Sequence, residues 1–277
     1  VSTRIVYSDL DGTMVGPRGC FFRTGDRSLT LTPARALLDL HAAGVALVLV
    51  SGRTRVQLVE ACRIFGADGF VGELGTVLGW DGGREHEVLT GAMPTALAGT
   101  PYDAIVGAGV IARLVGRHPG RVEFHAPWHE QHEGDVMLRG RLDAGDVEAW
   151  LAGQGFGWLQ LCDNGVLPLA TPTTLDPGVL PAHVYHLMPR GLSKGYAVQL
   201  DLRRRGIDPA DAVAVGDSAS DLTMAPYVSR LWLTANGAKE PSVAAGAATL
   251  PNVRIADGEL GLGWAQAIRD ALDGQPG

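Results

Sequence analysis

The stretch Arg4-Ile5-Val6-Tyr7-Ser8-Asp9-Leu10-Asp11-Gly12-Thr13 decides how the rest of the chain is read. The apolar run at 4–7 predicts a short strand, and that strand empties into two aspartates two residues apart, flanking Leu10. Ligands in open α/β sheets collect outside the carboxyl ends of strands, so the position itself favours a site. Two carboxylates this close repel unless a cation holds them, and hard oxygen donors suit Mg2+. Gly12 lets the chain turn sharply just afterwards. Taken alone, the pair reads first as a turn cap.

Three further stretches answer to the same logic. The continuous apolar run 45–50 predicts a strand buried on both faces, and it ends in Ser51-Gly52-Arg53-Thr54. A hydroxyl on Ser51 and free N–H groups near Gly52 would suit a phosphate oxygen there. Lys194, in Gly191-Leu192-Ser193-Lys194-Gly195, opens a helix capped by Ser193 and ending at Gly206. A lysine at that end opposes the helix dipole, so a bound anion would give it a reason to be there. Finally Val213-Ala214-Val215-Gly216-Asp217-Ser218-Ala219-Ser220-Asp221 is another strand running into acids. Asp217 and Asp221, four apart, would share a helix face and need a cation or hydrogen bonds to offset their repulsion. Each stretch has a plain reading as a cap or a solvated side chain. Four of them, each just past a strand or opening a helix, are harder to explain so.

Between these stretches helices are expected from 32 and from 56, closed by Gly44 and Gly66, with short strands at 70–71 and 76–80. A strand near 231–233 and a helix at 262–272 follow the last acidic motif. Strand and helix alternate at both ends of the chain, which predicts a doubly wound parallel, Rossmann-like α/β sheet. The middle differs in texture: one helix at 102–117, a His- and Pro-rich loop at 118–134, a strand at 136–142, a helix at 146–152, a strand at 158–162 and a turn region at 170–181. The expected division is a discontinuous core from 1–82 and 188–277, with an α/β insertion at 83–187.

The motifs DLDGT, VSGR, GLSKG and GDSASD, in that order, resemble those of the haloacid dehalogenase-like hydrolase superfamily. Within it the chain is similar to the Cof-type, sucrose-phosphate and mannosyl-3-phosphoglycerate phosphatases. The resemblance implies Asp9 as nucleophile and Asp11 as general acid and base, with Ser51, Gly52, Lys194 and Ser220 holding phosphate. It also implies Mg2+ on Asp9, Asp11 (through its main-chain carbonyl), Asp217 and Asp221, the last through water or by orienting Lys194. The insertion would be a cap over the active site, and the substrate a small phosphorylated metabolite such as a sugar phosphate. Ser220 departs from the usual Asn of GDxxND, and Glu73-Leu74-Gly75 lacks the Asn of the relatives' acidic-Asn-Gly loop. Asn236 is either a turn residue or part of the site. A phosphosugar mutase of the phosphomannomutase type and a receiver-like phosphate-binding module are the alternatives.

Composition sets the outer bounds. The 277 residues suggest two domains, and 46% hydrophobic with 19% charged residues exclude a disordered polyelectrolyte. A net charge of −7 argues against a nucleic-acid scaffold. The longest apolar run is far short of the roughly 18 residues of a membrane span. Cys20, Cys62 and Cys162 make no disulfide framework, which fits a cytoplasmic protein, and nothing in the sequence sets an oligomeric state. In the insertion, His118, His125, His129 and His132 cluster. His125 and His129 have a zinc-compatible spacing if helical, but Pro127 argues against a helix, leaving a substrate-facing or plain polar loop. Arg139 and Arg141 would share a strand face, either solvated or meeting an anion.

Overall fold

Ile5–Asp9 (β1) is buried at all five positions, as a strand without alternation must be when both faces of its sheet are covered. The computed structural model describes residues 2–167 and 173–273. It divides into one unit of Val1–His86 with Ser193–Gly277, and a second of Glu87–Leu192.

In the first unit β1 is followed by Thr32–Ala42 (α1), Ala46–Val50 (β2), Arg55–Phe65 (α2), Gly69–Gly72 (β3) and Val77–Trp80 (β4), and Glu85–Val88 (β5) begins there and ends in the second. After the second unit come Lys194–Arg205 (α6), Ala212–Gly216 (β10), Ala219–Leu222 (α7), Arg230–Leu233 (β11), Pro241–Ala248 (α8), Val253–Ile255 (β12) and Leu260–Leu272 (α9). The sheet order is β12-β11-β10-β1-β2-β3-β4-β5. Its strands run parallel from β12 to β3, and β4 pairs antiparallel with β3. The strand order reverses at β1, with β2 on one side and β10 on the other. Such a switch point opens a crevice at the strands' carboxyl ends.

Local chemistry sets the ends of these elements. Thr54 caps α2 with a capping box through Gln57, and Gly66 closes it in the left-handed region. Ser193 accepts from the Tyr196 N–H to open α6, and Gly206 closes that helix in the same way. The expected parallel core is therefore present. The edges are not what periodicity suggested: β5, α8 and β12 were absent from that reading. β12 is only three residues long, and β5 carries Glu85 and Glu87, so both edges are short or charged, which discourages pairing with other chains.

A polar hub ties this core together. Asp201, on α6 and 2% exposed, accepts from Tyr7 Oη at 2.6 Å, Trp80 Nε1 at 2.6 Å and Arg205 Nε at 2.8 Å. Its loss would strand three donors with little water to replace it. Asp201→Ala is expected to destabilise the fold by about 3–5 kcal/mol, measured as the urea midpoint; an unchanged midpoint would refute this role.

The second unit contains Pro101–Gly107 (α3), Val110–Arg117 (α4), Val122–Phe124 (β6), Val136–Gly140 (β7), Ala144–Gly153 (α5), Leu159–Leu167 (β8) and Ala182–Pro189 (β9). Its antiparallel sheet has the order β6-β7-β9-β8. One face, with Leu138, Leu161, Tyr185 and Leu187, packs on Ile105, Leu114, Val147 and Leu151. Alternation puts Met137, Cys162 and His186, which lie opposite one another in register, on the other face.

Several details differ from the sequence reading. The single helix expected at 102–117 is two, because Gly109 takes φ +68° between them. The His-rich loop at 118–134 contains β6, and β9 continues to Pro189 within the small sheet. Arg139 is neither solvated nor free for an anion: it is 2% exposed and donates to Glu123 at 2.6 Å. Arg141 lies beyond the strand end and is exposed. Of the turn region at 170–181, residues 170–172 lie outside the described residues, and Pro177–Val179 forms a short 3-10 turn.

Candidate active site

Three strands of the first unit deliver side chains to one end of the sheet. Asp9 is the last residue of β1, Ser51 follows β2 directly, and Asp217 follows β10. Lys194 is the first residue of α6. Its Nζ donates to Asp9 Oδ1 at 2.9 Å and to Asp221 Oδ1 at 2.7 Å, joining positions 185 and 27 residues apart in sequence. Asp9, Ser51, Lys194 and Asp221 are all 5% exposed or less. The other oxygen of Asp221 accepts from Asp217 N at 3.0 Å, Ser218 N at 2.9 Å and Ser218 Oγ at 2.7 Å. With both oxygens engaged, Asp221 orients Lys194 and the loop after β10.

Asp217 is held from the other side. Thr13 Oγ1 donates to its Oδ1 at 3.0 Å, and Asn236 Nδ2 donates to the Gly12 carbonyl at 2.8 Å and to Asp217 Oδ2 at 3.3 Å. Gly12 has φ +89°, and a Cβ on it would stand 2.3 Å from Asp217 Oδ2. Only glycine therefore allows the acidic loop after β1 to approach the one after β10.

The electrostatics are unbalanced. Burial pushes the Asp9 carboxyl well above its ordinary range, against the pull of Lys194, and Asp221 and Asp217 add to the push. Burial and the Asp221 charge raise Asp217 to about 7. Lys194 goes the other way: burial would lower it, but Asp221 and Asp9 outweigh burial and hold the ammonium charged. Asp9, Asp217 and Asp221 bring ligand oxygens within 4.8 Å of one another with one ammonium among them. That surplus of negative charge is what a divalent cation relieves, and all-oxygen donors match Mg2+.

The family model for haloacid dehalogenase-like hydrolases matches residues 180–252, the segment that carries Lys194, Asp217 and Asp221. Over that segment the chain is similar to the haloacid dehalogenase-like hydrolases. It is 26% identical to a phosphoglycolate phosphatase of Methanopyrus kandleri over 98% of both chains. It is also 26% identical to one of Methanoculleus marisnigri, over 80% of this chain and 79% of that one. Among solved structures, the sucrose-phosphatase of Synechocystis in complex with sucrose and phosphate superposes with TM-score 0.66 at 14% identity, covering 98% of each chain. Thermoplasma acidophilum 0175 gives 0.65 at 16% identity, covering 98% of this chain and 99% of that one. These structural likenesses show the fold. Among the described residues no helix is long and apolar enough to cross a membrane.

Against the superfamily pattern, the residues named from sequence divide into two groups. Asp9, Lys194, Asp217 and Asp221 come together, and Ser51 stands at the end of the adjoining strand with Gly52 after it. Asp11 lies outside that cluster: its carboxylate is 55% exposed and gripped by Arg53, through Nε and Nη2 at 2.7 Å each. Ser220 bonds the Ser218 hydroxyl at 2.8 Å rather than any of the clustered acids. Asn236 is more than a turn residue, since it joins Gly12, Asp217 and the Leu260 N–H.

Arg53 and Thr13 were quoted inside motifs without a role. Their signal was position, one residue beyond groups already singled out. The Arg53–Asp11 pair is partly solvated, so it contributes at most about 1 kcal/mol to stability. Arg53→Ala should leave the melting temperature within a few degrees of wild type while lowering kcat/KM at least tenfold, read from phosphate release. Equal turnover by the variant would show that the clamp on Asp11 is incidental.

Proposed function

We propose that this protein is a Mg2+-dependent phosphomonoesterase acting on a small phosphorylated metabolite through an aspartyl-phosphate. The observation that carries the reading is the buried Asp9 at the end of β1, paired to Lys194 and faced by Asp217. An Asp9 oxygen would attack phosphorus in line as the bond to the leaving alkoxide breaks. Asp11 would give that alkoxide its proton, then take one from the water that hydrolyses the acyl phosphate. Lys194, with Ser51 and the N–H groups after β2, would hold the phosphoryl oxygens, mainly by position and charge. Asp9, Asp217 and the Asp11 main-chain carbonyl would hold Mg2+, which when bound neutralises charge on the phosphoryl group. Asp221 keeps Lys194 aimed. Cytoplasmic placement belongs to the same proposal, supported by Cys20, Cys62 and Cys162 being unpaired.

The substrate class is tested by a panel. Sugar phosphates are the expectation from the motifs, and the names of the curated relatives put 2-phosphoglycolate beside them. Mg2+-dependent release of inorganic phosphate from a member of the panel is the expected result. Conversion of a hexose 1-phosphate to its 6-phosphate without release would replace hydrolysis with mutase chemistry.

The metal part of the reading has its own check. Asp217 is raised from 3.8 to about 7, so the stability tied to its protonated form is full below pH 4 and lost as the pH rises towards 7. A cation that accepts the ionised carboxylate restores that loss. Mg2+ should therefore raise the melting temperature more at pH 8 than at pH 5.5, and an equal shift at both values would contradict it.

A further inference from the structure

We propose that the second unit carries its own binding site for a zinc-class divalent ion, formed by His132, Asp135 and His186. Among the described residues two groups of His, Cys or acidic side chains bring ligand atoms within 4.8 Å of one another. One is the Asp9 cluster; the other is this trio, with 5%, 0% and 0% exposure. His132 Nδ1 faces Asp135 Oδ1, and His186 Nδ1 faces Asp135 Oδ2. His132 comes from the loop before β7, Asp135 immediately precedes β7, and His186 lies on β9.

The far side of His132 fixes what its near side presents. Its Nε2 lies 3.1 Å from the Trp128 carbonyl oxygen, which only accepts, so Nε2 carries the hydrogen. In a neutral ring the Nδ1 lone pair is then aimed at a carboxylate oxygen. Lone pair against lone pair in a buried site requires a positive centre between them, either an added proton or a metal ion. A histidine that gives its other N–H to a backbone carbonyl is also how metal-bound imidazoles are oriented.

Two more donors lie near the trio. His125 is 7% exposed and its Nδ1 has no hydrogen-bond partner. Cys162 stands opposite His186 on β8. Two imidazoles, one carboxylate and a fourth position for water or one of these neighbours is a zinc-class donor set, distinct from the all-oxygen cluster on the other unit. The His125 and His129 pairing read from sequence spacing is not this site; the ligands come together through the fold.

The test uses the whole protein, stripped with a chelator and dialysed against micromolar Zn2+ with millimolar Mg2+ to occupy the oxygen-only cluster. One zinc per chain is expected in wild type and in Asp217→Asn, with retention at least tenfold weaker in His186→Gln and His132→Gln. Circular dichroism checks that the variants fold. If they do not, Co2+ loaded into wild type decides: intense visible bands of a tetrahedral imidazole-bound ion support the site, and the weak bands of oxygen ligation refute it. Wild type without stoichiometric zinc, or folded His variants that keep it, would show that a proton holds the trio together.

Discussion

Asp9→Asn is expected to lower phosphate release by about a thousandfold or more, with the fold retained. The substituted amide has nearly the same shape, so packing at the end of β1 is preserved. It cannot form the acyl phosphate, and it removes one of the charges that burial disfavours. Stability should therefore hold or rise slightly, while Lys194 keeps its bond to Asp221 at 2.7 Å. Single-turnover measurement with Mg2+ present separates loss of chemistry from loss of binding. A variant with wild-type turnover would exclude Asp9 as nucleophile, whatever its location.

Lys194→Ala should fail in two ways at once. Its ammonium is the cation that pairs with both Asp9 and Asp221, and it is 3% exposed. Removing one partner from a buried ionic network costs about 3–5 kcal/mol, because the carboxylates left behind are neither paired nor solvated. Activity should fall at least a hundredfold as the transferring phosphoryl group loses its fixed positive charge. The two effects are separable, since Mg2+ should restore part of the stability but little of the rate. Urea unfolding with and without Mg2+ measures the first, and phosphate release the second. A wild-type urea midpoint without Mg2+ would mean that the acids are already relieved by something other than Lys194.

How much of this was legible in the sequence depended on range. The run 45–50 and the capped, glycine-ended helices were readable because their signals are local: continuous apolarity, Ser193 before a helix, Gly206 after it. The acids Asp9, Asp217 and Asp221 were readable because each sits at a strand end or a helix start. Asp11 was equally prominent in sequence, but nothing local showed that Arg53 would grip it. Arg139 was open to a solvated reading because its partner, Glu123, lies on a different strand that was itself taken for loop. The zinc-class trio escaped for the same reason. His132 and His186 are 54 positions apart, and only the pairing of β7 with β9 brings them to one carboxylate. Short edge strands such as β12, with three residues, carry too little pattern to distinguish from turns.

The position of β1 has a consequence for how the chain is made. Its two neighbours are β2 and β10, and Ile5 is aligned with Ala212. At a synthesis rate of about 5–20 residues per second, β1 waits on the order of ten to forty seconds for β10 to be translated. Through that interval an apolar strand ending in Asp9 has one open edge, while Glu87–Leu192 emerges and can settle into its own compact unit. Nascent chains halted before residue 212 should thus be held by chaperones or cleaved within 1–86 first. The loop acids on which catalysis is proposed to depend therefore meet only after the whole of 87–192 has been made.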